Sequence, residues 1–93
     1  ADNVPPVITP MGGLHDGANL AKASQIAFRL GDNLSGVKEY RAELDGKWLL
    51  FAQKGNTIYY SFDEHCAKGD HKLVLTVTDE ANNQSAYLLN FKR

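Results

Sequence analysis

From residue 24 to residue 91 apolar side chains recur at alternate positions, and nothing else in these 93 residues narrows the fold as far. Ile26, Phe28 and Leu30 share one parity, and so do Tyr40, Ala42 and Leu44, then Ile58, Tyr60 and Phe62, then Leu73, Leu75 and Val77, then Tyr87, Leu89 and Phe91. A period of two puts one face of a strand in a core and the other in water. Between the runs stand Asp45-Gly46, Lys54-Gly55-Asn56 and the stretch 79–83, rich in residues that tolerate positive φ. The pattern predicts an all-β chain: seven short strands forming an antiparallel two-sheet sandwich with Greek-key connections. A helical fold is disfavoured by recurrent glycine and by Val, Ile, Thr and aromatic residues in the same runs. Residues 17–23 are the one short helix candidate.

All three prolines, Pro5, Pro6 and Pro10, lie in the first ten positions. Proline lacks the amide that a central strand donates, so this end reads as a linker over 1–6 leading to an edge strand over 7–9 and a long loop. The folded domain is expected over 7–93. Residues 48–53 read as a return strand, and 63–68 as a loop or one helical turn closed by Gly69.

Ten Lys and Arg against eleven Asp and Glu leave a formal charge of −1. No single-sign field is available to attract nucleic acid, so that partner is not expected. No apolar run reaches the length of a membrane span, and no membrane insertion of the segment is expected. Cys66 is the sole cysteine and has no intrachain partner; paired Cys spacings of a structural zinc site and glycine-rich phosphate loops are both absent. No cofactor and no metal are expected.

The string Asp32-Asn33-Leu34-Ser35-Gly36-Val37 with Tyr40 and Leu44-Asp45-Gly46-Lys47-Trp48, followed by Gly69-Asp70-His71-Lys72-Leu73 and by Val77-Thr78-Asp79-Glu80-Ala81-Asn82-Asn83, carries more information than composition. It resembles bacterial immunoglobulin-like or fibronectin type III-like domains, in particular the carboxyl-terminal accessory domain of lysostaphin-like zinc metallopeptidases and related envelope proteins of Bacteroidetes. The resemblance covers about residues 5–92. Asn82 stands where that family usually has glycine, a substitution that a positive-φ position accepts. The resemblance implies a non-catalytic spacer or docking domain of a periplasmic, cell-surface or secreted protein, with a neighbouring domain of the same polypeptide or another envelope protein as partner. The peptidase's zinc-binding motifs, a His three residues before an Asp and a His-x-His, do not occur here.

Four groups of residues are candidates for chemistry or binding. Asp32, Asp79, Asn82 and Asn83 lie in turns expected at one end of the sandwich, where their oxygens can converge as a weak calcium site or simply hold their own turns in shape. His65, Cys66 and His71 include the residue types of a nucleophile and its base, yet adjacent loop side chains diverge and His71 shares the parity of Leu73, which places it at the rim of the core. Cys66 reads as a small buried hydrophobe. Glu39, Arg41 and Glu43 alternate on one strand face as a solvated surface does; as a carboxylate pair they would need a cleft that a flat sheet lacks.

The aromatics outnumber what one thin core can take. Trp48 and Phe51 must point in opposite directions on a regular strand, as must Tyr59 and Tyr60. Trp48, Phe51 and Tyr59 are therefore the candidate interaction surface, either for a neighbouring domain or, as an alternative, for a glycan stacked on exposed rings. Closure of the core by Trp48 beside Leu50 is the competing expectation.

Overall fold

The computed structural model describes residues 4–31 and 37–93, and among these every regular element is a strand. There are nine: β1 (Val7–Pro10), β2 (Ala18–Asn19), β3 (Gln25–Gly31), β4 (Val37–Leu44), β5 (Lys47–Trp48), β6 (Ala52–Lys54), β7 (Thr57–Ser61), β8 (Asp70–Asp79) and β9 (Gln84–Lys92). They form two sheets, one ordered β1-β3-β7-β6 and the other β2-β9-β8-β4-β5.

Two features raise the count from the seven expected. Residues 48–53 do not make one return strand: β5 pairs with β4 in the five-stranded sheet, then the chain crosses through Leu49, Leu50 and Phe51 and enters the other sheet as β6 beside β7. Leu49 and Phe51 are buried at that crossing and Leu50 is exposed, so burying both inward residues bridges the gap between the layers. The second is β2, which lies where the helix candidate was expected. It pairs in parallel with the end of β9, Ala18 opposite Phe91, so the sandwich is not wholly antiparallel. Ala18 is buried there, and Asp16 Oδ1 accepts the Asn90 amide at 2.7 Å, which ties the segment to the sheet.

The inward parities hold along the long strands. Phe28, Ile58, Leu73, Leu75, Val77 and Leu89 are fully buried, and Tyr40 is half-buried with its hydroxyl donating to the Phe51 carbonyl at 3.2 Å. Leu14, from the long loop before β2, and Cys66 complete the core. Asp45 and Gly46 both have positive φ, 53° and 82°, as a two-residue hairpin turn of primed type requires. Asn82 takes φ 65°, the conformation that favours glycine or asparagine. Pro6 is buried and its carbonyl accepts the Ser85 hydroxyl at 2.6 Å, which holds the start of β1 against β9.

Candidate functional site

Strand register places Trp48 opposite Glu43, Glu43 opposite Val74 and Val74 opposite Leu88, one row across the outer face of the five-stranded sheet. Trp48 ends that row at the sheet edge and is 70% exposed; Leu50, just beyond it, is 73% exposed. The expectation that Trp48 closes the core beside Leu50 is overturned, because Leu49 and Phe51 fill that place.

Phe51 is a correction to the candidate surface. It is 4% exposed, with its ring 6.4 Å from Phe28 and 5.8 Å from Tyr60, because its parity is opposite to that of Trp48 and the crossing turns it inward. Tyr59 lies on β7 between Ala27 and Ala52 and is half-buried on the outer face of the other sheet. The three rings therefore do not share one surface. Trp48 alone among them is broadly open to solvent.

Beside Trp48 a cleft of about 370 Å³ separates the β4–β5 hairpin from the loop after β7. Leu44 and Leu49 floor it, Lys47 and Trp48 line one side, and Glu64 and His65 line the other. A larger hollow of about 520 Å³ lies under the loop before β3, lined by backbone-rich positions such as Gly12 and Gly13. Its one titratable side chain, His15, is spent on the Gly13 carbonyl at 3.0 Å.

The wall carrying Glu64 and His65 is shaped by Asp63. Its Oδ1 accepts the Tyr60 hydroxyl, the His65 amide at 2.9 Å and the His65 Nδ1 at 3.2 Å. The Tyr60 hydroxyl, then the His65 amide, hold the Asp63 carboxyl below the usual carboxylate range. Burial, followed by the Asp63 contact, pushes the Tyr60 hydroxyl up. Asp63, Glu64 and His65 bring ligand atoms within 4.8 Å of one another, but the Asp63 oxygen nearest the histidine already serves three donors.

His71 occupies the corner where this loop meets the hairpin. Its Nδ1 lies 2.6 Å from Asp45 Oδ2, its Nε2 lies 2.6 Å from the Ala67 carbonyl, and its ring packs on Phe91 at 5.4 Å. Asp45 Oδ1 accepts the Lys72 amide at 2.8 Å. Burial works against the charge on both groups. The Ala67 and Asp45 bonds nevertheless raise the His71 pKa, and the His71 and Lys72 bonds lower that of Asp45.

Cys66 is 1% exposed and burial pushes its thiol up, with the Arg93 guanidinium opposing. Arg93 donates to the Cys66 carbonyl at 3.0 Å and stacks over Phe62 at 4.0 Å. Among the described residues neither histidine of this corner hydrogen-bonds the sulfur. A nucleophile with its base is not assembled from His65, Cys66 and His71.

Of the turn residues, Asp32 lies outside the described residues. Asp79 is fully buried and accepts the Asn83 amide at 2.7 Å and the Asn83 side-chain amide at 3.2 Å. Asn82 instead accepts the Lys38 ammonium at 3.1 Å. Glu39, Arg41 and Glu43 stand on the outer face of β4, with Arg41 Nε 3.4 Å from Glu43 on an open surface.

Both lowered carboxyls give an acid-labile contribution to stability. A folded pKa below the ordinary value near 3.8 stabilises the chain above that value, and the contribution is lost as pH falls through the folded value. The unfolding temperature is expected to drop on acidification below about pH 4. Asp63→Asn should flatten part of the drop, which calorimetry across that range would measure.

No protein-family model matches the chain, and no curated protein matches it significantly. Solved structures do. The fibronectin(III)-like modules of Clostridium thermocellum CbhA are 12% identical with a TM-score of 0.65, over 96% of this chain and 46% of that one. The endo-beta-1,4-mannanase of Thermotoga petrophila is also 12% identical, with a TM-score of 0.73 over 98% of this chain and 20% of the enzyme. At that identity the likeness speaks for architecture alone, and the architecture is a fibronectin type III-like sandwich.

Proposed function

We propose that this chain is a non-catalytic accessory module of an exported or cell-envelope protein, which positions a neighbouring domain of the same polypeptide by docking at the Trp48 edge. One observation carries the reading: an indole 70% exposed on a two-residue edge strand, next to a leucine that is 73% exposed. Large rigid apolar side chains left in water beside a packed core mark contact surfaces, because covering them releases much hydration at little entropic cost. Two further points support it. The two solved chains compared above are both longer than the match, one of them a mannanase. The exported setting is supported by the motif resemblance to accessory domains of Bacteroidetes metallopeptidases.

Trp48 is the single tryptophan, so its fluorescence tests the reading directly. Emission from the 93-residue chain should be that of a solvated indole. In the longer polypeptide that docking requires, it should shift to shorter wavelength and resist quenching by acrylamide. Equal quenching in both would count against docking. Trp48→Ala should change folding stability by no more than about 0.5 kcal/mol, as at other open surface positions, while releasing the neighbouring domain.

A second reading, a carbohydrate-binding module, is favoured by the cleft beside Trp48. Among the described residues the side chains of Lys47 and Glu64 make no hydrogen bond or ion pair, and both line the cleft together with Leu44 and Leu49. Their opposite charges disfavour a strongly ionic ligand. Sugar hydroxyls both donate and accept, so a pyranose stacked on the indole would use both groups. Titration with soluble mannan distinguishes the readings: glycan binding quenches Trp48 in the isolated chain, whereas docking leaves it unchanged there.

A further inference from the structure

We propose that His71 is a protonation-dependent latch which, when doubly protonated, fastens the segment 63–69 to the β4–β5 turn at Ala67 and, on losing a proton, gives up that fastening and loosens the segment. The geometry demands two donors. Nε2 faces a backbone carbonyl, which only accepts, and Nδ1 faces a carboxylate, each at 2.6 Å. An imidazolium satisfies both oxygens; a neutral imidazole carries one proton and must turn a lone pair toward the other oxygen. Asp45 is the stronger acceptor because it bears charge, and the Lys72 amide holds it in place. The remaining proton therefore stays on Nδ1, and the Ala67 carbonyl loses its donor.

Charged and titratable groups around the ring set the balance. Asp45, from the hairpin turn, favours the imidazolium, while Arg93, from the chain end beside the loop, opposes it. Lys47 acts on Asp45 from β5, and the Cys66 thiol in the loop also feels the Asp45 charge. Asp70 and Lys72 flank the histidine on β8 itself, and Lys92, opposite Asp70 on β9, lines the same hollow as the histidine. The net His71 pKa is raised above its ordinary value of 6.5. A raised histidine pKa stabilises the closed corner fully below 6.5, and the effect is lost as pH rises through the folded value. Protonation of Asp45, below the ordinary carboxylate range, opens the corner from the acid side.

The two pieces that His71 joins are the two sides of the Trp48 cleft. Opening the latch therefore alters that cleft, a consequence that rests on the docking reading; the latch itself does not.

Cys66 supplies the probe, being the sole cysteine, buried, and within the clamped segment. Its protection is the alkylation rate by iodoacetamide in the denatured chain divided by that in the folded chain. In wild type, protection should fall about tenfold as pH rises through the His71 titration, the loss expected for one charge-assisted hydrogen bond. His71→Phe keeps the ring against Phe91 but cannot titrate, and should show the low protection at every pH. Ring resonances of His71 followed by NMR in the unmodified protein give the pKa without any variant. A His71 midpoint at or below 6.5, a titration without change in Cys66 protection, or a His71→Phe profile like that of wild type would each overturn the latch. All of these measurements use the isolated chain, so a Trp48 edge that docks nothing leaves their outcome unchanged.

Discussion

Phe51→Ala is expected to lower the free energy of unfolding by about 3–5 kcal/mol, the range for truncating a buried phenylalanine when the surroundings collapse only in part. The ring lies against Phe28 and Tyr60, and the backbone carbonyl of the same residue takes the Tyr40 hydroxyl, so the site is fixed from both sheets. A domain of this length has roughly 5–14 kcal/mol in total at the usual stability per residue. The variant should sit near the edge of folding, with a lower urea midpoint and an unchanged slope. Trp48→Ala, on β5 just before the crossing, should barely move the midpoint. A loss of less than about 1 kcal/mol in Phe51→Ala would mean that the crossing is not built as described.

Asp79→Ala is expected to cost about 1–3 kcal/mol, because it removes the buried carboxylate that accepts the Asn83 amide and side chain at the end of the longest strand. The side chain is fully buried, so water cannot replace the carboxylate without opening the turn. Asp79→Asn retains an oxygen acceptor and should recover part of the loss. Thermal denaturation of the three proteins would rank them wild type, Asn, Ala. Because both Asp79 oxygens already serve Asn83, millimolar calcium should leave the unfolding temperature of the wild type unchanged. A rise of several degrees would put the calcium reading of Asp79, Asn82 and Asn83 ahead of the turn reading.

The long strands were legible because their side chains alternate along almost their whole length, the register shift at the start of β4 apart. Leu73, Leu75 and Val77 illustrate this, each fully buried on a β8 flanked by β4 and β9. The turn chemistry of Asp45-Gly46 and the positive φ at Asn82 were legible for the same kind of local reason. The crossing at 49–51 was not. Alternation states which residues face inward but not which sheet they face from, and a change of sheet keeps the parity intact. That is why Phe51 was expected on the surface with Trp48 although its own parity already opposed it. The strand β2 was hidden for another reason: two residues show no period, and their pairing depends on Asp16 reaching Asn90 across 74 positions. The His71 corner was half visible. Its place at the rim followed from parity, but its partners Asp45 and Ala67 belong to two separate turns that only the folded chain brings together.

The change of sheet has a consequence for how other molecules can approach. It leaves edge strands of two residues in β5 and three in β6. β5 and β6 themselves offer an incoming extended chain too few backbone groups for a ladder, and the stretch of β4 that β5 leaves uncovered carries Lys38, Glu39 and Arg41, charges that discourage edge pairing beside an indole in open water. Whatever is gripped at β5 and β6 must be held by side chains, and a partner that recognises shape and rings rather than main chain is the kind those two strands can keep.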